Sequence, residues 1–415
     1  MSSHEEPKLG SWRRWAAIGA PLLLVAGIGV AGWLGWGASK VVAYEGRSVD
    51  VWFADFVTAS RAGGNSSYSI YGLDGNDKRV LAFAAMEGDA VPFLARRASA
   101  SPSRKAYVWI FPRLPKSLQA RLPTPGPDPR PYALYLLAQV GREQRHKMFD
   151  GHPSERASIG DAMPAIRAAM SDPGLRYPSV LALEMAGPMA VPAVPDLVAL
   201  IAKEYDSHNL QATNASDLFS ALESIGPGAA AAVPLLNRIA ADPAQSRSVR
   251  LSASQALGGI GRAARLAAPA LSALLAGDGI QQGLSRELIA LARIGGVTDE
   301  ALPALREIAR GTAPLAREYA TVAMWEREPD NPEWRDHING LLLAAAGPAH
   351  RGADDPNFLA GPVLASLACH GTNAAVFVPA IKRLLDPGFP GAANLTNLAR
   401  RALSQIDPPP PRKRP

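Results

Sequence analysis

A chain of 415 residues can hold two or three ordinary domains or one long repeat array, and its composition, with aromatics at only 7%, suits close-packed small-residue helices better than β-sandwiches or barrels. The formal charge of +6 is spread thinly, with +2 in the first forty residues, +2 from Asp407 onward and +2 over the whole remaining body, which leaves no electrostatic footprint for nucleic acid. The single cysteine, Cys369, excludes an intrachain disulfide and any Cys-x-x-Cys metal or redox site.

In chain order, a short tail (1–14) carrying Lys8, Arg13 and Arg14 precedes 23 uncharged residues from Trp15 to Gly37. As a helix that span reaches ~34 Å, enough to cross a bilayer core of ~30 Å. Trp12 and Trp15 at one end and Trp33 and Trp36 at the other match the aromatic belts of a spanning helix. An uncleaved anchor is expected over a signal peptide, whose apolar region runs only about 7–15 residues. The basic excess before the span points to a cytoplasmic N-terminus, and so to a single-pass inner-membrane protein with its bulk outside the cytoplasm. Gly27, Ala31 and Gly35 form a stripe of small residues, the surface through which membrane helices pair, so a homodimer through the anchor is expected.

Beyond the span, 44–100 reads as a capping repeat with an inserted loop, closed at its end by Trp52 and Phe53. Within that loop Gly72-Leu73-Asp74-Gly75-Asn76-Asp77 lacks the oxygen alternation and closing glutamate of a calcium loop and reads as a turn. Residues 101–131, with seven prolines from Pro112 to Pro131, read as a rigid connector. From 132 to 406 one pattern recurs: a helix ends in glycine, and eight residues later proline opens the next, at Gly187 and Pro195, Gly226 and Pro234, Gly261 and Pro269, Gly295 and Pro303, and Gly371 and Pro379. Two earlier copies, around Gly88 and Pro92 and around Gly160 and Pro164, have shorter links. Successive prolines from 164 to 303 lie 31, 39, 35 and 34 residues apart, and the 76 from 303 to 379 leave room for one degenerate copy. Proline is tolerated in a first helical turn, and glycine takes up the left-handed conformation that closes the preceding helix. Asp172-Pro173, Asp242-Pro243 and Asp386-Pro387 act as stops, and 407–415 reads as a disordered basic tail.

On these residues the chain resembles the HEAT-repeat family. The stretch from Ala232 to Gly261 is similar to one full unit, which places Asp242 and Arg250 at the family's structural polar turn positions. The segment around Tyr44 to Ser48, Trp52 and residues 82–94 resembles the opening of bacterial membrane-anchored HEAT proteins. The resemblance implies an all-α, right-handed α-solenoid of about seven to eight helix pairs behind one transmembrane helix.

Signatures of catalysis are absent: there is no GxSxG, HExxH, P-loop or Rossmann glycine pattern, and the seven histidines have no ligand spacing. No cofactor, metal or catalytic residue is therefore expected, and Cys369, in the apolar run from Val363, reads as a small core residue. The expected function is a scaffold for a protein or peptide partner; the alternatives are a HEAT-like enzyme of the bilin-lyase type and a purely structural envelope protein. Arg96, Arg167, Arg238, Arg306 and Lys382 follow each repeat's proline and read as a solvated outer face. The partner surface is expected on the second helix of each unit, at Arg247, Arg286, Arg317, Tyr319 and Arg400, since arginine and tyrosine are favoured at binding hot spots.

Overall fold

The computed structural model describes residues 42–62, 76–149, 157–210, 215–277, 286–347, 355–386 and 395–408. The expected anchor from Trp15 to Gly37 lies outside them, as do residues 72–75 of the turn. Asp77 is described and caps a helix: its carboxylate accepts from the Arg79 amide at 2.8 Å.

The described residues divide into two units, 42–55 with 100–128 and 56–99 with 129–408. In the smaller, β1 (Ala43–Tyr44) and β2 (Arg47–Ser48) pair antiparallel around Glu45 and Gly46, both at positive φ, as a two-residue hairpin turn of this hand requires. α1 (Val49–Ala62) follows, and the Trp52 indole donates to the Tyr44 carbonyl at 3.0 Å while Arg47 stacks over its ring at 4.3 Å. The proline-rich stretch contains two short helices and folds back on itself. Pro102 sits in the first turn of α4 (Pro102–Ile110), where no N–H is needed. Arg104 and Tyr107 on that helix hydrogen-bond the carbonyls of Gly126, Pro127 and Pro123 beyond α5 (Lys116–Gln119).

The larger unit is all helical. It holds α2 (Lys78–Met86), α3 (Val91–Ala98), α6 (Arg130–Phe149), α7 (Met163–Met170), α8 (Arg176–Ala186), α9 (Val194–Asp206) and α10 (Ser216–Ile225). α11 (Val233–Ala241), α12 (Arg247–Ile260), α13 (Ala268–Gly277), α14 (Arg286–Ile294) and α15 (Leu302–Ala309) continue it. α16 (Pro314–Arg327), α17 (Pro332–Ala345), α18 (Pro356–Cys369), α19 (Val378–Arg383) and α20 (Thr396–Ile406) complete it. From α6 to α20 each even-numbered helix packs on the next even one, and α9, α11 and α13 follow one another in a second rank. The degenerate copy expected between Pro303 and Pro379 is the pair α16 and α17.

The eight-residue spacing has a concrete cause. After each helix a seven-residue 3-10 turn runs Gly187–Ala193, Gly226–Ala232, Gly261–Ala267 or Gly371–Phe377, and proline is the second residue of the helix that follows. The glycines have positive φ, but at Gly226 φ 73° comes with ψ −140°. That is the glycine-only extended region rather than the left-handed helical cap expected from the pattern. The turn buries alanines completely, among them Ala190, Ala193, Ala229, Ala232, Ala264 and Ala267, which is why the chain is rich in small residues.

Glycine also sets helix approach inside the even rank. A Cβ on Gly258 would lie 2.9 Å from the Ala290 Cα, and one on Gly141 3.3 Å from the Ala186 Cα, so α12 meets α14, and α6 meets α8, at backbone contact. Two stretches, Arg176–Asp206 and Ser216–Ala241, are long and apolar enough to cross a membrane. Each, however, is two helices broken by a 3-10 turn and packed into the array.

The outer basic residues are paired: Arg167 with Asp196, Arg306 with Glu328 at 2.7 Å, and Lys382 with Asp407 at 3.4 Å. These are exposed or half-exposed bridges between neighbouring elements, worth about 0–1 kcal/mol each. At the turn between α11 and α12, Asp242 accepts from the Ala244 amide at 2.9 Å and from the Tyr205 hydroxyl of α9 at 2.9 Å. The Ala244 amide first, then the Tyr205 hydroxyl, hold its carboxyl below the ordinary aspartate value.

Candidate functional site

α20 buries Ala399, Ala402 and Ile406 against α18 and returns to touch α6, the helix that opens the even rank. The return encloses a cavity of about 460 Å³ whose walls come from α6, α10, α12, α14, α18 and α20.

Its polar wall is built from helix ends. Arg145, near the C-terminal end of α6, donates to the Glu184 carbonyl at 3.0 Å. Glu223 in the last turn of α10 accepts from the Gln255 amide at 2.7 Å and faces Arg293 of α14 at 3.6 Å. Arg293 Nε is buried and meets no acceptor among the described residues. Arg401 enters from α20. Three guanidinium groups thus line the cavity against a single carboxylate.

Their titration carries the mark of that crowding. Burial, then repulsion from Arg145, hold the Arg401 guanidinium below its ordinary value, with Arg293 adding to the effect and Cys369 opposing it. Burial lowers Arg145 as well, against an opposing pull from Glu184. The Glu184 carboxyl is pushed up, first by burial and then by Asp217. The lining also includes the apolar Ile225, Leu364, Ala368, Leu398 and Ala402.

Cys369 is not a core residue: it is half-buried on the cavity wall, 3.5 Å from the position of a Cβ on Gly261. Burial pushes its thiol up, against Arg293 and Arg401, and the thiol donates to the Ala365 carbonyl at 3.4 Å. The group is therefore held as a thiol, a poor nucleophile. Beside it, His370 is buried, and its Nε2–H donates to the Ala292 carbonyl at 2.7 Å, tying α18 to α14. Its ring stands edge-on to Trp325 at 5.6 Å.

None of the five arginine and tyrosine positions expected to meet a partner lines this cavity. Arg247 is exposed at the start of α12; Arg286 is exposed and donates to the Ser252 hydroxyl at 3.2 Å; Arg400 is exposed and donates to Asn397 at 3.4 Å. Arg317 is half-buried on the Glu318 carboxylate at 3.0 Å, an acid also 2.9 Å from His337. Tyr319 is buried, and its phenol is raised by burial against the neighbouring Arg293, so it supports a cavity arginine. The cavity residues carry a signal in the repeat pattern: Glu223, Arg293 and Cys369 stand two or three positions before Gly226, Gly295 and Gly371. Arg145 and Arg401 have no such marker.

No protein-family profile, curated protein or solved structure matches the chain.

Proposed function

We propose that the chain is a binding protein: a HEAT-type α-solenoid, held at the membrane by residues 15–37, that receives a partner on the even rank of helices. The observation that supports this reading is the rank itself. Eight helices from α6 to α20 pack in succession and hold the exposed arginines Arg247, Arg286 and Arg400. A stack of this kind gives an extended surface whose stability comes from nearest-neighbour interfaces, so that surface can vary without loss of fold. Binding fits the cavity chemistry better than catalysis, since burial holds the Cys369 thiol protonated and the adjacent His370 is engaged with the Ala292 carbonyl.

The test is site-directed crosslinking of the full chain in its own membranes. Crosslinkers at Arg247, Arg286 and Arg400 capture one discrete partner, whereas one at Arg167 on the other rank does not. Arg286→Glu combined with Arg400→Glu abolishes that capture and leaves the melting curve unchanged. Capture that persists in the folded double variant rejects the even rank as the partner surface.

A further inference from the structure

The cavity gathers the guanidinium groups of Arg145, Arg293 and Arg401, and desolvated like charges repel, so an anion that enters among them is stabilised. Glu223 serves Arg293 and Gln255, and Arg145 donates to the main-chain carbonyl of Glu184. Apolar side chains share the lining, and the volume lies within the range of small-ligand sites, roughly 300–1,000 Å³.

We propose that this cavity binds a small amphipathic anion, with its carboxylate or phosphate head among Arg145, Arg293 and Arg401 and its short apolar body against Ile225, Leu364 and Leu398. Guanidinium forks match both head groups through paired N–H donors, and Arg293 Nε supplies a donor that no protein acceptor uses. The apolar wall distinguishes this ligand from a bare inorganic ion, because burying its body adds affinity in proportion to the area removed from water. The site is formed within one chain, so it operates whether or not a protein partner is bound.

The experiment uses the purified full chain in detergent, with hexanoate, hexyl phosphate, inorganic phosphate, hexanol and hexylamine as probes. Thermal melting reads affinity, and the rate of maleimide labelling at Cys369, the only thiol in the chain, reads occupancy of the cavity. Hexanoate or hexyl phosphate raises the melting temperature saturably and slows labelling; whichever acts at lower concentration identifies the head group. Inorganic phosphate acts only at higher concentration, and hexanol and hexylamine do neither. Arg401→Met weakens the effective anion by about tenfold or more, equivalent to about 1.4 kcal/mol. Arg401→Lys, which keeps the charge and loses the fork, gives a smaller loss and serves if the methionine variant does not fold, while Arg286→Met changes nothing. The proposal is overturned if hexylamine matches hexanoate, if no anion slows labelling, or if the folded Arg401 variants bind as tightly as the parent chain. Those failures would leave the partner surface standing, since no partner enters the assay.

Discussion

Gly259 and Gly340 both lie inside helices, and replacing each by alanine should move stability in opposite directions. An exposed helical glycine costs about 1 kcal/mol relative to alanine through backbone entropy. At Gly340, on the exposed side of α17, a Cβ meets nothing within 4 Å, so Gly340→Ala should stabilise by about that amount. At Gly259 the same Cβ lies 2.7 Å from both the Cα and the carbonyl oxygen of Glu223, and 2.4 Å from its Cγ. The side chain can move, but the α10 backbone cannot move without separating α10 from α12. Overpacking of that kind costs about 1–3 kcal/mol, which outweighs the entropic gain and leaves a net loss of about 1 kcal/mol. The two variants should differ by about 2 kcal/mol, a separation of several degrees in melting temperature. Circular dichroism melts of the full chain in detergent measure it, with urea titration as a second probe. If Gly259→Ala proves as stable as Gly340→Ala, the close approach of α10 and α12 is wrong, and with it the placement of Glu223 on the cavity wall.

Further outcomes follow from titration and from the N-terminal span. Hydrogen bonds from Asn331, Trp334 and Arg306 lower the Glu328 carboxyl from 4.5 to about 2. Its stabilisation is therefore complete above pH 4.5 and is lost as pH falls toward about 2, and Glu328→Gln should flatten that acid limb of the melting profile. His370 is held below its ordinary 6.5, chiefly by burial, with Ala292 and Glu326 opposing and Arg262 and Arg265 assisting. The unfolded chain then binds the proton more readily, so stability is full above pH 6.5 and declines below it. His370→Gln, whose amide can still donate to the Ala292 carbonyl, should lose that decline; an unchanged profile between pH 5 and 7 would place the titration elsewhere. Deleting residues 1–41 should release the chain from carbonate-washed membranes without lowering its helix content, and retention in the pellet would show that residues 15–37 are not the attachment.

The punctuation of this fold was legible because it is local. Gly226 and Pro234 mark where one helix must stop and the next can begin, and the physical requirement, a residue free of Cβ followed by one that needs no N–H, acts over eight residues. Helix pairs and the apolar faces of the ranks follow from the same short-range rules, and so does the degenerate copy between Pro303 and Pro379. In the proline-rich stretch the proline count alone does not say which prolines open helices, as Pro102 does for α4. What sequence could not supply is the way successive repeats turn relative to one another. Nor could it supply which backbones meet across the array, as Gly258 does with Ala290 and Gly259 with Glu223, or where the last helix comes to rest. It ends against α6, which carries Arg401 to Arg145 across 256 residues of chain. α20, polar in much of its sequence, thereby becomes a cavity wall, and Cys369, apolar in its local context, faces guanidinium groups that only the closed array brings to it.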